Sequence, residues 1–411
     1  MGCFFVGINL LALTILRTVD WPTHFMLFFI WIVCAAYGHR FLNQYLPRRD
    51  QLLFPLIMFL SGWGLVAIQR LAPRFGERQA IWLVIAVMGM LFVAIYPHLL
   101  RWMRNYRYLW LTFGLSLLVI TILLGRNPSG IGSAPQLWLG IGNVNFQPSE
   151  LLKVVLVVFL SSYLAEQYPT LRAQELVTGN RLLAFSPRVF GPILLMWSLS
   201  IVILIWQRDL GTAILFFAVF TMLLYAASGD WLVMVGGALL IVIAAIIAYR
   251  LFDVVSLRID IWIDPWSDAD GRAFQIVQSL QAFAAGGIFG QGIGQGLPTA
   301  IPVVHSDFIF AAVAEEWGLL GVVVVVASIG FIIVRGFRIA IMHYGYPFHA
   351  LLALGLTLLL TTQALLIMGG VIRLLPLTGV TLPFMSYGGS SLVMSFVMLG
   401  LLLRLSDQEV S

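Results

Sequence analysis

Charged residues are scarce in this chain of 411 residues. Asp, Glu, Lys and Arg together make up 10% of it, whereas the hydrophobic classes make up 61%. Ordinary soluble domains carry about 25% charged residues, because they need them to cover their surface. The shortage therefore excludes a soluble enzyme, a nucleic-acid-binding protein and a disordered chain. It predicts a protein with many helices in a membrane.

Lysine and cysteine are nearly absent. Lys153 is the one lysine among 23 basic residues, and Cys3 and Cys34 are the two cysteines. The basic residues outnumber the 18 acidic ones, but they are scattered through short loops. They therefore indicate membrane topology and not affinity for nucleic acid. With two isolated cysteines, the sequence predicts neither a disulfide framework nor a thiolate metal site.

Long apolar runs take up most of the chain. A helix needs about 20 apolar residues to cross a bilayer, and twelve runs approach or reach that length, although the first is short. They predict an all-α polytopic membrane protein with about 12 transmembrane helices. The predicted spans are 3–17, 25–43, 51–69, 79–98, 106–125, 148–167, 190–206, 209–228, 231–250, 308–334, 347–370 and 381–403.

The arginines indicate how these spans are oriented. More of them fall in loops on one side, which predicts that both termini lie in the cytoplasm. Two long loops, 126–147 and about 251–307, then lie on the outer side. Loops longer than about 15 residues are usually functional or disordered, and the aromatic residues of the second loop argue against disorder. The functional site is therefore predicted on the outer face.

A charged pair is predicted at the start of one apolar segment. Pro148 suits the first position of a helix and Glu150 the third. Lys153 lies one turn deeper, where a cation is costly unless it is paired or faces water. Two interpretations stay open: a structural pair with Glu150 at i−3, or a polar cavity that receives an anionic substrate.

His305, Ser306 and Asp307 end the second long loop. Ser306 suits an N-cap and Asp307 a first helical turn, so capping explains both residues. The alternative rests on position: a partly desolvated carboxylate at the outer mouth of the helices could act as a general base with a raised pKa. The residues alone leave both interpretations open.

Three further motifs have a structural explanation. The glycine-rich run 286–296 lacks the strand and the Lys-Ser/Thr of a phosphate-binding loop, so it predicts a tight loop with left-handed backbone positions. Arg208-Asp209 is interpreted as an ion pair at a helix start. The small polar residues 386–391 indicate either close helix packing or a pocket wall. No metal-ligand spacing and no Ser-His-Asp arrangement is evident in the sequence.

Taken together, these segments resemble the SEDS family, the RodA and FtsW polymerases of bacterial cell-wall synthesis. The likeness covers residues 51–405 in order, as a ten-helix core with a large extracellular loop at about 251–307. Residues 1–50 would add two N-terminal helices, and residues 406–411 a cytoplasmic tail. The matching stretches are 138–140, 146–153, 207–213, 274–280, 286–296, 306–310 with Glu315 and Glu316, and 376–391.

The resemblance implies a peptidoglycan glycosyltransferase of the bacterial cytoplasmic membrane. Such an enzyme polymerises lipid II, an undecaprenyl-diphosphate-linked disaccharide peptide, into glycan strands at the outer face. Asp307 matches the family's catalytic Asp and is predicted to be the general base for the acceptor sugar hydroxyl. Arg258 and Lys153 are predicted to stabilise the leaving diphosphate, and a divalent cation, Mg²⁺ or Mn²⁺, is a further candidate. The other predicted substrate-binding residues are Glu150, Gln147, Gln275, Gln278, Ser279, Ser386 and Tyr387.

The resemblance also implies a class B penicillin-binding protein as partner, in addition to membrane lipid. Two rival functions are a lipid II flippase and a non-catalytic scaffold for that partner. Transporters carry ionisable groups near the middle of the membrane, whereas here the acidic residues cluster in the outer loop. The sequence therefore favours chemistry at the surface. It does not separate a role in elongation from one in division.

Overall fold

The computed structural model of the chain describes residues 2–16, 20–96, 98–126, 137–141, 144–178 and 209–407, together with a few single positions between 191 and 202. Fourteen α-helices and one small sheet lie in these residues. The helices are α1 (Gly2–Leu16), α2 (Trp21–Tyr45), α3 (Leu53–Leu71), α4 (Pro73–Ile95), α5 (Leu99–Asn105), α6 (Arg107–Leu124), α7 (Pro148–Thr178), α8 (Leu210–Ser228), α9 (Trp231–Leu251), α10 (Asp253–Ile263), α11 (Phe274–Gly286), α12 (Ile309–Met342), α13 (Pro347–Val371) and α14 (Gly389–Ser406).

Ten of the described helices are long and apolar enough to cross a membrane. This confirms the prediction of an all-α polytopic membrane protein. The apolar helix α1 has 15 residues and is shorter than a usual span. The predicted span 190–206 lies outside the described ranges.

Local signals explain where several helices begin and end. α7 begins at Pro148, as predicted. The side chain of Asp209 accepts a hydrogen bond from the Thr212 amide at 3.0 Å, which makes it the N-cap of α8. α8 ends at Gly229, whose φ of 69° is left-handed. Asp209 thus caps α8, and the predicted ion pair with Arg208 lies outside the described residues.

Three predicted spans differ from the helices that form. α4 begins at Pro73 instead of residue 79, so Arg74 and Arg78 lie in its first turns. α14 begins at Gly389 instead of residue 381, because residues 372–388 take a non-helical course. The predicted span 308–334 continues to Met342 in α12 and is broken at Gly318, whose φ of 66° and ψ of −165° are not helical.

Both long loops contain regular structure. Strands β1 (Leu139–Ile141) and β2 (Val144–Phe146) form an antiparallel hairpin immediately before α7. Region 251–307 contains α10, α11 and two short 3₁₀ turns. The aromatic-rich second loop is therefore folded, as predicted.

The helices form two compact units. The first unit comprises Met1–Tyr96, Leu257–Arg335 and Gln363–Ser411. In it α3 and α14 are largely buried, and α4 packs along α14. The second unit comprises Pro97–Ser256 and Gly336–Thr362. In it α7 is largely buried between α6 and α8, whereas α9 is mostly exposed.

Candidate active site

Asp307 lies in a tight turn of the first unit, just before α12. The carbonyl oxygen of Val303 accepts hydrogen bonds from the amides of Ser306, at 3.1 Å, and of Asp307, at 3.3 Å. The Ser306 hydroxyl donates to Asp307 Oδ1 at 2.8 Å. Because α12 begins at Ile309, Ser306 is not at the cap position that the sequence suggested. Instead it orients the carboxylate.

The segment before α14 holds this turn in place. Ser386 Oγ donates to the carbonyl of Ser306 at 2.5 Å and accepts from the Leu382 amide at 2.9 Å. The amide of Tyr387 donates to the carbonyl of His305 at 2.9 Å. Ser386 and Tyr387 therefore lie beside the catalytic candidate. Their contact with a substrate, as part of a pocket wall, stays a prediction.

Residues in the first turns of α4 contact His305 and Tyr387. The Phe75 ring lies 4.7 Å from the His305 ring and 4.6 Å from the Tyr387 ring, measured between centroids. The guanidinium of Arg78 lies beside the Tyr387 side chain. Burial lowers the pKa of His305, and it raises the pKa of Tyr387 although the charge of Arg78 opposes that shift. Both rings are thus uncharged at neutral pH.

A cation lies near the carboxylate. Arg258 Nη1, from α10, donates to the carbonyl of Thr378 at 3.2 Å. A Cβ atom placed on the next residue, Gly379, would lie 3.7 Å from Arg258 Nη2 and 3.9 Å from Asp307 Oδ2. One guanidinium nitrogen and one carboxylate oxygen therefore face the same small space beside Gly379. Such a pair can accept a proton and stabilise an anion.

The glycine-rich run packs against the break in α12. Four of its glycines have positive φ, as the sequence predicted; they are Gly287, Gly290, Gly292 and Gly294. The amides of Leu319 and Leu320 donate to the carbonyls of Gly287, at 2.9 Å, and Ile288, at 3.1 Å. The break at Gly318 is thus satisfied by backbone bonds from the run.

Comparison with known proteins identifies the family. The model of the FtsW/RodA/SpoVE family, described as a cell cycle protein family, matches residues 50–411. The chain belongs to this family. It is 35% identical to the peptidoglycan glycosyltransferase RodA of Mycobacterium tuberculosis, over 98% of this chain and 88% of that protein. It is 30% identical to a probable peptidoglycan glycosyltransferase FtsW of Halothiobacillus neapolitanus, over 92% of this chain and 91% of that protein.

The fold of this FtsW/RodA family member is also found in a solved peptidoglycan synthase complex, whose study concerns the coordination of polymerization and crosslinking. The TM-score is 0.72 at 24% sequence identity, over 87% of this chain and 97% of that chain. The family match begins at residue 50, so α1 and α2 precede it.

The predicted substrate residues of α11 have different surroundings. Gln275 and Gln278 are partly exposed on this helix. Ser279 is buried, and its hydroxyl donates to the carbonyl of Val371 at 2.9 Å, which fastens α11 to the end of α13. The role of all three residues in substrate binding stays a prediction.

Lys153, Glu150 and Gln147 belong to the second unit. Lys153 Nζ lies 2.7 Å from Glu150 Oε1, and the Lys153 side chain is 2% exposed. The carbonyl of Gln147 accepts from the Glu150 amide at 3.1 Å, at the start of α7. The ion pair that the spacing indicated is therefore present. Contact of these residues with a substrate stays a prediction.

Sequence reasoning missed several residues of this site. Gly379 and Thr378 fall within a matching stretch, but no local pattern places them beside Arg258. The sequence predicts a loop for Phe75 and Arg78, and their position beside Tyr387 depends on helix packing, which the sequence does not show. Gln79 is a further example, since its amide donates to the carbonyl of Ser386 at 3.2 Å.

We expect Gly379→Ala to abolish most of the activity of this site. The φ of Gly379 is 73°, where an L-residue is strained by about 1–2 kcal/mol. The added methyl group would also lie in the space that Arg258 and Asp307 face. The measurement is the rate of glycan polymerisation by the purified variant, together with its thermal unfolding.

Gly229→Ala is the matched control. Gly229 has a similar φ of 69°, but a Cβ there would meet nothing within 4 Å. Both variants should lose a similar amount of stability, and only Gly379→Ala should lose polymerisation. Equal activity in the two variants would show that the reaction does not need the space beside Gly379.

Proposed function

We propose that this protein is a peptidoglycan glycosyltransferase that polymerises lipid II into glycan strands at the outer face of the cytoplasmic membrane. The observation that carries the proposal is the carboxylate of Asp307 and the guanidinium of Arg258 facing one space beside Gly379. The relatives named peptidoglycan glycosyltransferases, which match most of this chain, support the reaction class. The acidic loop region, predicted on the outer side, supports the location.

In the proposed reaction, Asp307 acts as the general base. It removes the proton of the acceptor sugar hydroxyl while that oxygen attacks the anomeric carbon of the donor sugar. The bond from the anomeric carbon to the diphosphate oxygen breaks, and the lipid diphosphate leaves with the electron pair. A single displacement inverts the anomeric centre. The hydrogen bond from Ser306 to Oδ1 orients the carboxylate so that Oδ2 is turned toward Gly379.

Arg258 is proposed to stabilise the charge on the departing diphosphate. A fixed guanidinium is suited to phosphate oxygens because its donors form a planar fork. Its other nitrogen is held by the carbonyl of Thr378, so its position is set before the substrate arrives. In the described part of the chain, no group of three or more His, Cys, Asp and Glu side chains could hold a metal ion. Arg258 is the cation of the first unit to which we assign this role.

Two further parts of the proposal concern substrate and partner. Lys153 and Glu150 form a buried pair in the second unit, and we assign to them a role in binding the lipid-linked substrate. A penicillin-binding protein of class B is the proposed partner. The fold shared with a peptidoglycan synthase complex supports such an assembly.

The test is a polymerisation assay with the purified full chain, labelled lipid II and the partner. Glycan ladders formed by the wild-type chain beside a partner that lacks transpeptidase activity are the expected result. If ladders are absent although both proteins are folded, lipid II should be tested for transfer across vesicle membranes. Transfer without polymerisation would replace the proposal with the flippase alternative. If the chain shows neither activity, the scaffold function would be the remaining alternative.

A further inference from the structure

The short helix α5 carries exposed cations in the second unit. Leu100 and Met103 are buried, whereas Arg101, Trp102 and Arg104 are exposed. The helix lies between two candidate membrane spans, one ending at Ile95 and the other starting at Arg107. Because these spans meet water close to α5, its exposed side belongs to the interface between membrane and water.

Two histidines from another part of the chain lie near Arg104. The guanidinium carbon of Arg104 is 5.9 Å from the centre of the Phe348 ring. The charge of Arg104 also acts on His349, the residue after Phe348. The His349 ring is in turn 5.7 Å from that of His343, at the turn between α12 and α13. His343 Nδ1 is 3.0 Å from the carbonyl of Ile339. Three elements thus bring one guanidinium and two imidazoles together.

This cluster has little negative charge to balance it. The sequence has no acidic residue between Glu77 and Glu150. The carboxylate of Glu166, in α7, lies nearby, but it forms an ion pair with Arg107. Within the part of the chain that the structure describes, neither Arg101 nor Arg104 forms an ion pair with a carboxylate, so both add positive charge to the cluster. A complementary ligand carries negative charge.

Aromatic side chains border the cluster. Trp102 is 53% exposed, Tyr106 48% and Tyr346 52%. The Trp102 ring stands edge-on to Tyr106, with centroids 6.0 Å apart. Exposed Trp and Tyr rings are typical of the headgroup level of a bilayer, where one part of the ring is apolar and the other is wet.

We propose that Arg101, Arg104, His343 and His349 form a binding site for the headgroup of an anionic phospholipid. The guanidiniums would bind the phosphate oxygens, for which Arg is well suited. The rings of Trp102 and Tyr346 would pack along the glycerol backbone and the first acyl carbons. The zwitterionic headgroup of phosphatidylcholine fits less well, because its quaternary ammonium group would lie close to the two guanidinium groups.

The test measures thermal unfolding of the detergent-purified full chain during titration with short-chain lipids. Dioctanoyl-phosphatidylglycerol should raise the melting temperature, since a ligand of the native state stabilises it. Dioctanoyl-phosphatidylcholine at equal concentration should not. Arg104→Gln should weaken the apparent affinity for phosphatidylglycerol roughly tenfold, as expected when a charged hydrogen bond is lost.

Arg272→Gln is the matched control, because Arg272 is an exposed arginine of the first unit; it should titrate like the wild type. If Arg104→Gln does not fold, Arg101→Gln and His349→Gln provide the same comparison. Equal shifts with both lipids, or an unchanged affinity in these variants, would overturn the site. An equal shift with inorganic phosphate would overturn the assignment to a lipid headgroup.

Discussion

Asp307→Asn is expected to slow glycan polymerisation by a factor of about 100 to 10,000, the usual contribution of a general base. Asparagine keeps the shape of the side chain. Its oxygen can still accept the hydrogen bond that Ser306 Oγ donates to Asp307 Oδ1 at 2.8 Å in the wild type. It cannot take a proton from the acceptor hydroxyl. The variant should therefore fold and bind substrate normally while the chemical step fails. The measurement is a time course of ladder formation from labelled lipid II, with thermal unfolding in parallel.

Asp268→Asn is the control for this comparison. Asp268 is also a carboxylate of region 251–307, but it is exposed and bonded to Arg272 Nε at 2.9 Å. The Asp268→Asn variant should polymerise lipid II at the rate of the wild type. Asp307→Asn activity within tenfold of wild type would show that another group accepts the proton. Loss of activity in both variants would point to a general effect of charge in this region.

The transmembrane helices could be predicted because an apolar run is a local property of the sequence. Their ends were less predictable. α4 begins at Pro73, whereas the sequence predicts a loop for the arginines in its first turns, because charge is costly in a span. α14 begins only at Gly389, since the apolar residues before it belong to the wall of the site and not to a helix. In both cases tertiary packing, which a window of residues does not contain, sets the boundary.

The active site was predictable in part for the same reason. Asp307 could be selected by its position and by resemblance, but capping explained it equally well until the start of α12 was known. Its proximity to Arg258 and Gly379 depends on three segments far apart in the chain. The break at Gly318 has no local signal either, because the bonds that satisfy it come from the glycine-rich run.

A buried ion pair couples that run to α12. Arg70 Nε lies 3.1 Å from Glu316 Oε1, with the two side chains 9% and 1% exposed. Arg70 Nη2 also donates to the carbonyl of Gly296 at 3.2 Å, and the amide of Gly294 donates to Glu316 Oε1 at 3.0 Å. The adjacent Glu315 accepts from the Leu297 amide at 2.6 Å. These bonds tie α3, the glycine-rich run and α12 together.

We expect Arg70→Met to lower the free energy of unfolding by about 3–5 kcal/mol, because it leaves Glu316 buried without its cation. Methionine fills most of the volume, so the charge is the main change. The double variant Arg70→Met with Glu316→Gln should recover much of the loss, since no buried charge is then unpaired. The measurement is chemical unfolding of the detergent-purified chain, compared across the two single variants and the double variant.

Arg272→Met removes an arginine whose ion pair lies at the surface. It should leave stability unchanged, because an exposed pair contributes little. If Arg70→Met is no less stable than Arg272→Met, the buried pair does not hold the glycine-rich run. A double variant as unstable as Arg70→Met would instead mean that the arginine acts through Gly296 alone. In either case another contact would have to hold α12, the helix that follows Asp307, against the glycine-rich run.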